Sequence, residues 1–290
     1  MRPYFIVNPI AGGGMALEKF KAATAYLDSR GAEYGCVLTE REHQSTALAE
    51  EAYANGERMI VAVGGDGTVN EVASALCNRS DAAMGIFPFG TGNDLARVLR
   101  LPTEPKSAAE LLLGGEAKPI DMGLAGNTPF INVGGMGFDV DVVINTERYK
   151  GRFHGMLPYI FGIIRSLSHL RGLSVKVTTG GVTTKEELLL CSVCNGSHLG
   201  GGMNVAPEAD ASDGLFDVCM IKKIGLIPLL MLLPKFIKGK HLGKKPVRYF
   251  RTDEITFECE RTPLQLDGEL GSFAPVRFKV LPHALRVVMP

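Results

Sequence analysis

Four short stretches hold most of the residues able to do chemistry. Three are glycine turns: NPIAGGG at Asn8–Gly14, GGDGT at Gly64–Thr68 and FGTGND at Phe89–Asp94. Each follows a short apolar run and precedes a helical pattern. A helix start offers unpaired N–H groups and a positive dipole end, which suit phosphate. Glycine lets the backbone approach such a ligand closely. A carboxylate beside phosphate is repelled unless a cation intervenes, so Asp66, set between glycines, predicts a hard divalent ion held through water and phosphate oxygens. One such loop alone reads as an ordinary turn between strand and helix. Three in one chain, one of them carrying an aspartate, point to a nucleotide site. Thr68 to Glu71 and Thr91 to Asp94 also fit the Ser/Thr-x-x-acid pattern that caps a helix. The fourth stretch, LDGE at Leu266–Glu269, places two acids on a turn.

Positioning three turns at one edge requires strands and helices in alternation, and the first third of the chain supplies them. Strands are expected over Tyr4–Asn8, Gly35–Leu38, Arg58–Val63 and Met84–Pro88. Helices are expected over Met15–Ser29, Ser45–Ala54, Thr68 to Cys77, and onward from the FGTGND turn to Leu99. Strands this continuously apolar predict a mostly parallel sheet covered on both faces. Its carboxyl edge is where such folds bind ligands. Beyond about residue 125 the texture becomes β-rich: Phe130–Val133, Leu173–Thr178, Glu187–Cys194, Phe216–Ile221, Glu254–Cys259, Pro263–Leu266 and Pro275–Val280. Alternation in LSVKVT and ITFEC predicts a largely antiparallel sheet or sandwich. One helix is expected to interrupt it, from about Met156 to Leu170. Its Phe161, Ile163, Ile164 and Leu167 read as core or as a lining for acyl chains. The expected domains are a three-layer α/β/α unit over 1–125, rejoined by a strand over about 283–290, and a β-rich sandwich unit over 126–282.

Several classes are excluded. Lys and Arg number 31 and Asp and Glu 31 in 290 residues, so no global charge announces a nucleic-acid partner. A hydrophobic fraction of 46% excludes disorder as the main state. No run reaches the ~18 apolar residues of a membrane span; the most apolar stretch, 224–237, is broken by Pro228 and Pro234. MRPYFIVNP has no signal-peptide core. Cys191 and Cys194 sit close in sequence, but on a strand residues three apart face opposite sides. Reduced, buried thiols are therefore expected, as in a cytosolic protein. No Walker loop, G-x-G-x-x-G turn after the first strand or protein-kinase motif set is present. His43, His154, His169, His198, His241 and His283 show no zinc spacing.

VGGDGTVNEV and FPFGTGNDLAR together resemble the catalytic domain of the diacylglycerol kinase and lipid kinase family. NGSHLGGGMNVAPEADASDGLFDV (195–218) is similar to that family's P-x-A-x-x-x-D-G-x-x-D stretch, and LDGE to its DGE motif. The likeness runs over nearly the whole chain. It implies an NAD kinase/diacylglycerol kinase-like fold, with ATP at the carboxyl edge of the first domain, in the cleft facing the second. The implied nucleotide contacts are Asn8, Thr39, Gly64, Gly65, Asp66, Gly67, Thr68, Glu71 and Thr91, with Asn93 and Asp94 closing the match. Asp267 and Glu269 are implied as the acids near the acceptor hydroxyl, either being the base; by spacing alone they form only a turn between strands. Asp121 aligns with an acid tied to the metal and water network, and equally reads as a hydrogen-bonding residue at the domain junction. Asp210, Asp213 and the Leu215 carbonyl are implied to hold a second Mg²⁺.

The implied activity is transfer of the γ-phosphate of ATP to a membrane lipid hydroxyl, with diacylglycerol as the expected acceptor. A kinase of a soluble acceptor such as NAD shares GGDGT, and a non-catalytic nucleotide- or lipid-binding module is the other alternative. Between Val218 and Thr252 there are nine basic residues and no acid. They adjoin the apolar 224–237 stretch, a composition suited to an anionic bilayer surface. The alternative is a core helix followed by a solvated basic loop. The expected partner is thus a lipid met at the inner face of the membrane, by a cytoplasmic protein that does not span it. Nucleic acid is not expected, and a homodimer is compatible.

Overall fold

The computed structural model describes residues 1–149, 153 and 157–290, the side chain of residue 169 excepted. His154, the His169 side chain and the expected helix start at Met156 lie outside the described residues. The chain forms two compact units, Met1–Asp121 with Pro282–Pro290, and Met122–Leu281.

In the first unit the elements are β1 (Pro3–Val7), α1 (Met15–Ser29), β2 (Gly35–Leu38), α2 (Ser45–Ala54), β3 (Met59–Gly64), α3 (Asp66–Leu76), β4 (Ala83–Pro88), α4 (Asp94–Val98), α5 (Pro105–Gly114) and the start of β5 (Glu116–Ala125). Strands β2, β1, β3 and β4 lie side by side and parallel. Val287 of the returning chain pairs parallel with Met84. Alternate residues of each strand enter opposite layers. Phe5, Val7, Val61, Val63 and Phe87 pack with Phe20, Leu27, Ala109 and Leu112 from α1 and α5. Ile6, Ile60 and Ala62 point the other way and are equally buried. Helices α2 and α3 pack on each other and against β3.

The second unit comprises β6 (Thr128–Phe130), β7 (Val133–Gly137), α6 (Phe138–Glu147), α7 (Leu157–Ser166), β8 (Leu173–Thr179), β9 (Val182–Cys194), β10 (His198–Leu199), β11 (Met203–Asn204), β12 (Phe216–Lys222), α8 (Leu226–Ile237), β13 (Val247–Thr252), β14 (Glu254–Leu266) and β15 (Glu269–Met289), whose end returns to the first unit. The pairings are antiparallel, and β9, β7, β14 and β8 close a circuit in which each strand bonds the next. Closure removes the exposed edges an open sheet would carry. The inside is filled by Val175, Val177, Leu188, Cys191, Val193, Phe257 and Phe278. The other face of β9 and β12 is covered by α6, α7 and α8, with Cys194, Cys219, Ile221, Leu229 and Phe236 in contact.

Cys191 and Cys194 thus belong to different cores. All six cysteines are free, and burial pushes the thiols of Cys191 and Cys194 up, with Cys219 reaching about 12. Such thiols are inert.

The structure departs from the sequence reading at several places. Phe130–Val133 is not one strand: β6 ends at Phe130 and β7 begins at Val133, because the amides between them bond a side chain instead of a neighbouring strand. The two expected strands within 254–266 are one, bulged between Phe257 and Thr262. Residues Phe138–Glu147, which alternate apolar and acidic at their start, are helical, and Leu226–Ile237 continues as a helix through Pro234. Neither threonine caps a helix: α3 begins at Asp66 after Gly65, α4 follows Asn93, and no side chain of either N-cap residue bonds its own helix.

Candidate functional site

In the first unit the three glycine turns meet at the carboxyl ends of β1, β3 and β4. Asn8 donates its backbone N–H to the Val63 carbonyl at 2.9 Å and its side-chain amide to Thr68 Oγ1 at 3.2 Å. Gly12 lies so close to the Phe89 carbonyl, and Gly90 to Gly65 Cα, that a Cβ on Gly12 or Gly90 would overlap backbone atoms. A Cβ on Gly64 would press on Thr68 Oγ1 at 2.6 Å. The glycines therefore serve contact between backbones as well as turn geometry. Gly12, Gly13 and Gly14 all have positive φ, which a side chain would oppose.

Asp66 ties two of the turns together. Its Oδ2 accepts the Asn93 N–H at 2.8 Å and its Oδ1 the Asp94 N–H at 2.6 Å. These are orphan amides at the start of α4, so Asp66 caps that helix from another segment. Burial pushes the Asp66 carboxyl up, while the two amides and the Arg97 guanidinium pull it down. Asn93, at φ 55°, closes the turn with both ends of its side chain on Gly90: Oδ1 accepts the Gly90 N–H and Nδ2 donates to its carbonyl. Glu71 points elsewhere. Its Oε2 accepts the Ser45 N–H at 2.8 Å and its Oε1 lies 3.2 Å from His43 Nδ1, so it serves the start of α2. Thr39 continues β2, donating its N–H to the Val7 carbonyl at 2.8 Å, and Thr91 is exposed. Asp121 is wholly buried and accepts the His283 N–H at 2.8 Å, which joins the returning chain to the end of the unit's first segment.

In the second unit Asp267 and Gly268 form the two-residue turn between β14 and β15, with φ of 52° and 85°. Both values are left-handed, as a type I′ hairpin requires. The Asp267 carboxylate accepts three backbone N–H groups, from Ile131 at 2.7 Å and from Asn132 and Val133 at 2.8 Å. These are the amides that interrupt β6 and β7. The same bend receives the Asn195 side chain, which donates to the Ile131 carbonyl, and the Asn132 amide donates to the His198 carbonyl. Glu269 is exposed. Asp210 Oδ1 accepts the N–H and hydroxyl of Ser212, and Asp213 Oδ1 accepts the Leu215 N–H. Asp213 also lies 3.7 Å from Arg251. Among the described residues no three His, Cys, Asp or Glu side chains gather as a metal cage.

Two residues next to the turn escaped the sequence reading. Gln265 is fully buried. Its Oε1 accepts the Gly268 N–H at 2.8 Å, and its Nε2 donates to Asp139 Oδ2 at 3.3 Å. Asp139 rests over Gly135, whose missing Cβ makes the room. Burial pushes its carboxyl up to about 7, against the hydrogen bonds from Gln265 and Val140. Asp139 also lines an apolar cavity within this unit. Tyr159, Ile163, Leu199, Leu232 and Phe236 form its walls, and Gly268 reaches its lining. Ile163 is one of the helix residues read from the sequence as core or as a lining for acyl chains; the other walls come from separate helices and strands, which no local pattern joins.

The diacylglycerol kinase catalytic domain family matches residues 2–125, and the YegS C-terminal NAD kinase beta sandwich-like domain matches residues 133–289. A Mycobacterium tuberculosis protein named diacylglycerol kinase is 32% identical over 98% of this chain and 94% of its own length. The Bacillus subtilis diacylglycerol kinase is 30% identical over 100% and 96%. A probable lipid kinase YegS-like of Pseudomonas aeruginosa is 32% identical over 94% and 90%. Among solved structures, a putative diacylglycerol kinase from Bacillus anthracis superposes with a TM-score of 0.82 at 25% identity, covering 100% of this chain and 97% of that one. An Archaeoglobus fulgidus NAD kinase in complex with ATP shares the fold alone, with a TM-score of 0.53 at 12% identity over 100% and 93%. With both halves matched and full-length relatives at 30% identity or more, this chain belongs to the diacylglycerol kinase and YegS-like lipid kinase family and is a kinase.

Proposed function

We propose that the protein transfers the γ-phosphate of ATP to the hydroxyl of a membrane lipid, diacylglycerol first among them, giving phosphatidate. The observation that carries this reading is the apolar cavity whose lining includes Gly268 of the Asp267–Gly268 turn. A space walled by leucine, isoleucine, valine and phenylalanine suits an acyl chain and gives nothing to the charged phosphates of NAD.

In this reading the first unit holds the nucleotide. The backbone amides of Gly64 to Thr68 and of the turn after Asn8 receive phosphate oxygens, and Asn8 and Thr68 hold the two turns in register. The Asp66 carboxylate accepts the Asn93 and Asp94 amides and is a hard oxygen donor beside the glycine turns, so it suits a hydrated Mg²⁺. When bound, that ion neutralises charge on the transferring phosphoryl group. Asp210, Asp213 and the Leu215 carbonyl offer hard oxygens for a second ion with an ordering role. The acceptor hydroxyl forms the new P–O bond as the bond to the bridging oxygen of ADP breaks. Its proton passes to a carboxylate of the Asp267–Glu269 turn.

Transfer of labelled γ-phosphate from ATP into a panel of lipids in mixed micelles, with NAD as a parallel acceptor and Asp66→Ala as control, tests the reading. Label in diacylglycerol, absent with the variant, is the expected result. Label in NAD alone, or ATP binding without transfer to any acceptor, would overturn it.

A further inference from the structure

Helix α8 has two apolar faces. Leu229, Leu232, Leu233 and Phe236 turn inward and wall the cavity. Leu226, Ile227, Leu230 and Met231 turn outward, with Ile227 73% and Met231 68% exposed. A helix on a globular surface ordinarily keeps polar residues on its outer face; this one carries none from Leu226 to Pro234. The cations stand at its two ends. Lys222 and Lys223 precede it, and Lys235, Lys238, Lys240, Lys244 and Lys245 close and follow it, all exposed. Arg248 and Arg251 are committed elsewhere, Arg248 to Glu186 and Arg251 to Asp217 and Asp213. Among the described residues no ion pair engages the seven lysines.

We infer that α8 lies in the interface of an anionic bilayer, outer stripe among the acyl chains and lysines on the headgroups. The inner stripe of the same helix then sets the cavity one helix thickness from the membrane. The docking rests only on the outer face; the delivery of an acyl chain to the cavity rests on the lipid-kinase reading above. An apolar stripe flanked by lysine at both ends is the pattern of a helix lying in the membrane plane. Long lysine stems can reach up to phosphate from that depth. The charge also argues against a second copy of this chain as the occupant. A twofold contact would set one lysine-flanked stripe against another, with no acid between Val218 and Thr252 to relieve it.

The test uses the full chain, floated with vesicles of phosphatidylcholine alone or mixed with phosphatidylglycerol. Two surface variants are compared with the parent: Ile227→Asp with Met231→Asp, and Lys235→Glu with Lys238→Glu. Binding to the anionic vesicles that falls with salt, and falls about tenfold or more in both variants, is expected. Phosphorylation of a short-chain diacylglycerol dissolved as monomers should stay within about twofold of the parent, which also reports that the variants are folded. Variants that float like the parent would overturn the inference. So would conversion of a dimer to a monomer by Ile227→Asp with vesicle binding unchanged, since the face would then belong to a second copy. If docking is lost as expected but the parent phosphorylates no lipid, the docking surface stands and the kinase reading falls.

Discussion

Two aspartates, one in each unit, do the same structural work with different surroundings. Asp66 gathers the N–H groups of Asn93 and Asp94, and Asp267 those of Ile131, Asn132 and Val133. In both cases a carboxylate gives orphan backbone amides the acceptor that regular structure cannot supply. Around Asp66 the neighbours are backbone, with Gly65 against Gly90 and Gly12 against Phe89. Around Asp267 they are side chains: Gln265, Asn195 and Asn132. Backbone cannot step aside by changing rotamer, whereas side chains can. The glycine-turn edge should therefore tolerate almost no substitution, and the Asp-Gly turn should tolerate shape changes while remaining sensitive to chemistry.

The sharpest break of that contrast is a pair of glycine substitutions. Gly90→Ala forces a Cβ into the Gly65 backbone and should cost about 3 kcal/mol or more, with loss of ATP binding by calorimetry. Gly268→Ala has room, its nearest contact being Tyr159 at 4.0 Å, and pays only for its φ of 85°. A melting curve should show a loss of about 1–2 kcal/mol for it. Equal losses would mean that packing does not separate the two turns.

Carboxylate-to-amide changes come next. Asp66→Asn turns an NH₂ toward a buried backbone N–H and should cost about 2–4 kcal/mol and weaken ATP binding. Asp267→Asn should leave ATP binding intact and lower kcat about 100-fold or more, with Glu269→Gln within about tenfold. The reverse order in steady-state kinetics would assign the proton to Glu269.

Asp139 gives a pH effect confined to the second unit. Its carboxyl titrates near 7 in the fold and near 3.9 in an unfolded chain. Below pH ~4 both states hold the proton; between ~4 and ~7 only the folded state does, so its contribution to stability falls as pH rises, by at most about 1.4 kcal/mol per pH unit. Urea titrations across that range should show the slope reduced in Asp139→Asn. The smallest effect is Thr68→Val, which removes the Asn8 hydrogen bond and should cost about 1 kcal/mol.

Much of the first unit was legible. Helices α1 and α2 match their expected bounds, because an apolar stripe repeats along each and turn residues close both ends. The threonine caps were misread because the amides at the start of α4 are satisfied by Asp66, 27 and 28 residues away in sequence. A capping pattern searches only the nearest turn. Helix α6 went unseen because Phe138, Val140 and Val142 alternate with acids as a strand would. Packing decided otherwise: Phe138 and Val142 join α7 and α8 in covering the sheet, and Val140 is buried as well.

By itself, the chain's order of residues determined the alternation of elements, the glycine turns, the family and the acids on offer, since these rest on local periodicity and on short spacings. Tertiary structure alone decided which amides each carboxylate would hold. It also paired Gln265 with Asp139 and assembled an apolar cavity from helices, strands and a turn far apart in the chain. The physical reason is range: hydrogen bonds to buried amides and closure of a cavity join residues more than a hundred positions apart, and no local pattern records a partner at that distance.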